Sequence, residues 1–342
     1  MKHLVTGGSG FLGNLIARRL LERGEQVKVL DILDSPDRPK DIDFYNCDIR
    51  DADSVAKAMK GIDIVHHNAA LVPLTKSGRK CKEVNIDGSR ISAEQAAAAG
   101  VNAFVHMSSS ALFGVPDECP ITYKTPLKPV EIYGKAKLEG ELTVRNVCEK
   151  ENLPLIVIRP RTILGEGRLG IFQILFEWIK ENRNIYTIGE GHGLFQFVHA
   201  HDLMDAYILA LDSQKTGIYN VGAAEFGTLR ETLKNIISYA NSSSKVKSLP
   251  VGLTVGTLKV LDFLGLSPLA PWHYLTYHKP FYFDVTPLLN MGWDPKYSND
   301  AMFKESYDWF LSNHEDYKNQ EFTSAHRSPV KQKVLGIVKK LS

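Results

Sequence analysis

The chain has 342 residues, 44% of them apolar, and its 41 basic and 39 acidic side chains leave a net charge of +2. That length suits one large α/β domain with a smaller lobe, and the composition argues against wholesale disorder. The balanced charge gives no reason to expect a nucleic-acid partner, and Cys47, Cys81, Cys119 and Cys148 share no CxxC or CxxH spacing, so no disulfide framework or zinc site is expected and a reducing, cytoplasmic setting is the default.

The N-terminus enters Lys2-His3-Leu4-Val5 directly, so no signal peptide is expected, and no run of about 18 uncharged apolar residues calls for a membrane span. His3 to Val5 is the first strand-like run. A helix pattern follows, with Leu12, Leu15, Ile16, Leu20 and Leu21 on one face and Gly24 as its stop. Further short apolar runs stand at 27–30, 62–65, 103–107 and 155–158, separated by helical patterns near 52–59, 83–99 and 135–150. Such alternation predicts a parallel sheet covered on both faces, with right-handed crossovers. Beyond Pro160 the rhythm changes: an amphipathic helix over 170–181, strand-like runs at 185–188 and 195–198, and helical patterns near 201–211, 228–240 and 299–312.

Thr6-Gly7-Gly8-Ser9-Gly10-Phe11-Leu12-Gly13 lies between the first strand and the first helix, the context a dinucleotide-binding loop requires. Gly7, Gly10 and Gly13 divide three tasks: the tight turn, close approach of backbone N–H groups to a pyrophosphate, and close helix–strand packing. The helix N-terminus then meets the anion. Asp31 ends the second strand, 18 residues after Gly13, where its carboxylate can accept from ribose hydroxyls and repel a 2′-phosphate. This favours NAD, while Arg38 nearby keeps NADP open.

Tyr133 and Lys137 are four residues apart and so share one helix face. The ammonium is expected to draw the phenol's pKa down, towards proton exchange with a substrate oxygen. Met107-Ser108-Ser109-Ser110 stands at the end of a strand, the edge where ligand groups gather in a parallel sheet.

Together these elements resemble the extended branch of the short-chain dehydrogenase/reductase superfamily, the NAD-dependent epimerase/dehydratase family, with 3β-hydroxysteroid dehydrogenase-like features. The resemblance runs over nearly the whole chain and implies Ser109, Tyr133 and Lys137 as the catalytic trio, although Phe113 stands where the family usually has Tyr. It implies cofactor contacts from the glycine loop with Phe11 and Leu12, from Asp31 and Ile32, from Asp48 and Ile49 at the adenine, from Asn68, Ala69 and Ala70 at the adenosine ribose, and from Pro160 at the nicotinamide. Tyr133, Lys137 and Asn85 belong to that set too, Asn85 also from its place in a helix beneath the site. Substrate contacts are expected from Ser110, Arg161 and Arg168.

The fold expected is a Rossmann-type doubly wound parallel sheet with a smaller mixed α/β lobe. Residues 1–160 would bind NAD, 161–326 would mainly form the substrate lobe with some segments returning to the first domain, and 327–342 would be a basic amphipathic tail able to rest on a membrane. The resemblance also implies a homodimer through the helices near 83–99 and 135–150.

The resemblance implies a nucleotide sugar as the substrate, oxidised and reduced through hydride transfer, with an apolar sterol or lipid alcohol as the alternative. The family's nucleotide-sugar enzymes often carry an Arg just before the segment that here reads Phe197-Val198-His199, where this chain has Leu194-Phe195-Gln196. The apolar stretch 249–282 suits a sterol or lipid alcohol instead, or is simply a buried helix of the lobe. A non-catalytic NAD sensor is a third reading, opposed by the intact trio. His66-His67 and His199-x-His201 are not expected to bind metal, since adjacent strand residues point to opposite faces.

Overall fold

The computed structural model describes residues 1–72, 78–264, 267 and 269–319, with side chains to residue 313; the tail at 327–342 lies outside these described residues. In chain order the elements are β1 (Lys2–Thr6), α1 (Phe11–Glu22), β2 (Gln26–Asp31), β3 (Asp43–Asn46), α2 (Ala52–Ala58), β4 (Ile64–His67), α3 (Gly78–Lys82), α4 (Ser89–Ala98), β5 (Ala103–Met107), α5 (Ile132–Lys150), β6 (Leu155–Pro160), β7 (Ile163–Leu164) and α6 (Phe172–Lys180). They continue with β8 (Ile185–Ile188), β9 (Val198–His199), α7 (Ala200–Asp212), β10 (Gly217–Val221), α8 (Leu229–Tyr239), β11 (Val246–Leu249), α9 (Val251–Phe263), α10 (Pro271–Thr276), α11 (Thr286–Leu289) and α12 (Asn299–Asn319).

Seven strands form one parallel sheet in the order β10-β6-β5-β4-β1-β2-β3. Strand order reverses between β1 and β4, and a crevice opens at the carboxyl ends beside that switch point. The inner strands are near-continuous apolar runs because helices cover both faces: Leu4, Val5, Val65, Phe104, Val105 and Ile158 are fully buried. β10 comes from the second half of the chain and extends the sheet beside β6, pairing Tyr219 with Ile158.

Two expected segments differ. The helix pattern at 83–99 is split by a π-helical turn, Glu83–Gly88, between α3 and α4. Within it Asn85 bonds out to the Leu71 backbone, and the Ser89 and Ser92 hydroxyls donate back to the Asn85 and Gly88 carbonyls, loosening the regular ladder. The strand-like run at 195–198 shortens to β9, with Phe195 joined to Phe281 only by an isolated bridge.

The apolar stretch 249–282 is no single buried helix. In α9 only Leu258 is buried, while Leu253, Val260 and Phe263 are exposed, Phe263 to 91%. In α10, by contrast, Trp272 and Tyr274 are buried. Among the described residues no helix is long and apolar enough to cross a membrane.

Candidate active site

The loop between β1 and α1 is held by backbone geometry that only glycine allows. Gly7 has φ +66°, and a Cβ there would meet Ala69 Cα at 2.7 Å. A Cβ on Gly13 would lie 2.2 Å from the Gly7 carbonyl oxygen. Gly10 caps α1 without a side-chain bond, and no acidic residue stands in the first turn. The orphan N–H groups of that turn are therefore left to face an anion.

Asp31 receives the Ser9 amide at 3.0 Å and the Ile32 amide at 2.7 Å. Burial raises its pKa, and those amides pull the other way. Arg38 is engaged elsewhere: its Nε and Nη2 bond Asp34 at 2.7 and 2.9 Å, Nη1 turns to the Pro39 and Ile42 carbonyls, and the guanidinium lies over Phe44. It is not among the residues lining the crevice. The geometry thus presents a carboxylate, not a guanidinium, to the crevice at the end of β2.

Asp48 is held by Arg50, whose bonds lower its pKa, and Arg50 reaches on to Glu83 at 2.9 Å. Asn68 lines the crevice with its amide oxygen and nitrogen both buried and without a partner in the chain. A buried amide left so is costly unless a ligand completes it. With the glycine cradle and Asp31, it makes these residues fit a dinucleotide.

The three serines after β5 divide their work. Ser108 donates to Glu141 at 2.7 Å in the interior. Ser109 hydrogen-bonds Tyr133 and accepts the Ala111 amide at 3.1 Å. Ser110 accepts from Arg161 Nη1 at 3.3 Å. Lys137 is 4% exposed and donates to the Met107 carbonyl at 2.6 Å.

One expectation is corrected here. The chain's own groups do not draw Tyr133 downward: burial pushes the phenol up to about 12 against the Ser109 hydrogen bond, and burial brings Lys137 down to about 8. Lys137, turned to the Met107 carbonyl, is not among the groups that shift the phenol, and desolvation is the largest cause.

Gly7, Gly10, Phe11, Leu12, Gly13, Asp31, Ile32, Asp48, Ile49, Asn68, Ala69, Ala70, Ser109, Ser110, Tyr133, Lys137, Pro160, Arg161 and Arg168 all line one crevice of about 440 Å³. Asn85 does not. It lies behind the wall, 1% exposed, receiving the Leu71 amide and donating to the Leu71 carbonyl, so it positions that wall and is corrected from a cofactor contact to a brace. Arg168 lies over the Phe11 ring at 5.3 Å.

The His66-His67 pair is spent on the fold. His66 bonds Tyr207 and His3, while His67 bonds Thr6 and Ser89, from opposite faces of β4. Among the described residues no group of three or more His, Cys, Asp or Glu side chains is placed to hold a metal ion.

Trp272 and Tyr277, from the apolar stretch 249–282, also line the crevice, as do Glu131 and His273, to which no pattern in the residue order pointed. Glu131 precedes α5 with Oε1 buried and unpartnered, and burial lifts its pKa to about 7. An acid raised in the fold favours folding while protonated, and that advantage is lost as pH rises from its ordinary value of 4.5 through 7. Glu131→Gln should therefore raise the Tm by a few degrees at pH 8 and by almost nothing at pH 5. Equal shifts at both pH values would contradict the assignment.

Three comparisons bear on this geometry. The model of the "NAD dependent epimerase/dehydratase family" matches residues 3–222. The chain is similar to "Uncharacterized protein y4nG" of Sinorhizobium fredii, 40% identical over 336 residues, covering 98% of this chain and 85% of the relative. It is 31% identical over 215 residues to "Sterol-4-alpha-carboxylate 3-dehydrogenase, decarboxylating" of Mus musculus, covering 62% of this chain and 59% of that one. The crystal structure of a Thermus thermophilus UDP-glucose 4-epimerase in complex with NAD superposes with a TM-score of 0.73 at 27% identity, over 91% of this chain and 99% of the other.

Proposed function

The chain belongs to the NAD dependent epimerase/dehydratase family, of the extended short-chain dehydrogenase/reductase type, and on that premise we propose that this NAD-dependent enzyme oxidises and re-reduces a hydroxyl-bearing carbon of a nucleotide sugar. The observation that carries the reading is the Ser109–Tyr133 hydrogen bond, set in the same crevice as the glycine cradle and Asp31.

In this mechanism the first-turn amides of α1 would hold the pyrophosphate, Asp31 would accept from the adenosine ribose, where the Asn68 amide would also complete its bonds, and Asp48 would lie at the adenine. NAD, when bound, supplies the hydride acceptor, and its oxidised ring adds positive charge beside the phenol. Ser109 holds the substrate oxygen next to Tyr133. Tyr133 takes the hydroxyl proton during oxidation and returns it on reduction. Lys137 spends one donor on Met107 and has two left for the nicotinamide ribose and the phenol.

A test is direct. The purified chain with NAD should interconvert a UDP-sugar and its epimer with no net NADH. Steady NADH formation from an apolar alcohol, with UDP-sugars inert, would replace this reading by the sterol-like one, which the exposed apolar face of α9 and the sterol dehydrogenase relative favour. We also propose the two-domain division near residue 160, a cytoplasmic homodimer paired through α4 and α5, where Leu142 is 47% exposed, and peripheral membrane contact through the tail at 327–342.

A further inference from the structure

Two arginines at the end of β6 are buried, and only one has a counter-charge. Arg159 forks onto the Glu141 carboxylate, with Nε at 2.9 Å. Arg161 is 1% exposed, and among the described residues it has no carboxylate partner. Its Nε donates to the Gln196 carbonyl at 2.9 Å and Nη1 to Ser110 at 3.3 Å, while Nη2 is buried with no partner. The guanidinium is stacked 3.9 Å from the Phe281 ring centroid, with Phe195 at 5.0 Å and Phe283 at 5.8 Å.

A desolvated cation without an anion is costly, and three aromatic faces offset that only in part. The rings and Ser110 fix the plane of the fork and leave one edge open, and Arg161 lines the crevice that holds Ser109 and Tyr133. A planar fork with free donors matches a carboxylate. His273 lines the same crevice, and burial holds its pKa near 4, so it stays neutral and adds no competing charge there.

Position separates the candidate anions. Arg161 bonds Ser110, the neighbour of Ser109, which holds the reacting oxygen in the mechanism above. A nucleotide's diphosphate hangs from the anomeric carbon, across the sugar ring from a reacting C4. A carboxylate on the adjacent carbon lies only two bonds away from it.

We propose that Arg161 and Ser110 form a carboxylate subsite, and that the substrate is a β-hydroxy acid whose carboxylate sits on the carbon next to the oxidised one, as in a nucleotide-linked uronic acid. The proposal rests on the placing of the reacting carbon at Ser109 and Tyr133. It narrows the substrate within either class, since an acid beside the hydroxyl can occur on a sugar or on an apolar ring.

The test uses the full chain with NAD, as wild type, Arg161→Met and Arg161→Lys. Wild type should favour UDP-glucuronate over UDP-glucose in kcat/KM by about tenfold or more, the scale of a hydrogen bond to a charged group. In Arg161→Met that ratio should fall towards one, with Arg161→Lys between. Free glucuronate, but not free glucose, should raise the Tm of wild type and fail to do so for Arg161→Met, while the rise caused by NAD persists in both as the control for folding.

A wild type with no preference and no glucuronate shift overturns the proposal. So does an equal loss on both substrates in a variant that keeps its NAD response, and if Arg161→Met loses that response, Arg161→Lys decides by the same criteria. If no UDP-sugar is turned over but glucuronate still protects through Arg161, the nucleotide-sugar reading falls and the subsite stands. If Tyr133→Phe keeps full turnover, the placing of the reacting carbon falls, and the subsite's position beside it falls too.

Discussion

Tyr133→Phe lowers turnover by about a hundredfold or more while leaving the affinity for NAD nearly unchanged. The ring stays against the same neighbours, so packing survives, and only the hydroxyl that bonds Ser109 is removed. The phenol makes no hydrogen bond that the fold depends on elsewhere. Steady-state rates with a converted substrate, beside an NAD titration, provide the check. Equal rates for mutant and wild type would refute the catalytic role. A matched loss of NAD affinity would instead make Tyr133 a binding residue. Because burial lifts the phenol to about 12, the wild-type rate should still rise with pH above neutrality, and that rise should vanish in Tyr133→Phe.

Glu141→Ala costs about 3–5 kcal/mol of stability, the largest loss expected of any single change here. Glu141 is fully buried and takes both arms of Arg159, the Ser108 hydroxyl and the long-range attraction of Lys137. Its removal leaves a desolvated guanidinium with nothing to balance it. Urea unfolding reads the effect as a lower midpoint at unchanged slope. Removing both charges with a volume-matched pair, Glu141→Leu with Arg159→Met, should recover most of the loss, because a buried ion pair adds little over good apolar packing. A double variant as unstable as Glu141→Ala would show that Ser108 and Lys137 depend on the carboxylate itself.

Much of the cofactor half was legible from residue order alone. The strand–glycine loop–helix unit, Asp31 at the end of β2, and the Tyr133–Lys137 spacing are local patterns whose geometry follows from two backbone periods and from the absence of Cβ at Gly7 and Gly13. The same logic located α5 and β5 to within a few residues. It lost the π-helical turn at Glu83–Gly88, because the bond from Asn85 to Leu71 that distorts the helix joins segments 14 residues apart, outside any helical period. It lost β3 and β11 because each is short and only partly buried, so neither carries an apolar signature.

What the sequence determined was the local geometry of the crevice: a glycine loop ahead of α1, a carboxylate at the end of β2, serines at the end of β5, and Tyr133 with Lys137 on one helix. Tertiary structure decided the rest. It turned Lys137 to Met107, lifted Tyr133 by burial, and brought Arg161, just past β6, under Phe281 from beyond α10. Those outcomes depend on desolvation and on contacts between residues far apart in the chain. Hydrogen bonding and packing period are local properties that a sequence carries openly, whereas the dielectric around a charge is set only when distant segments close over it.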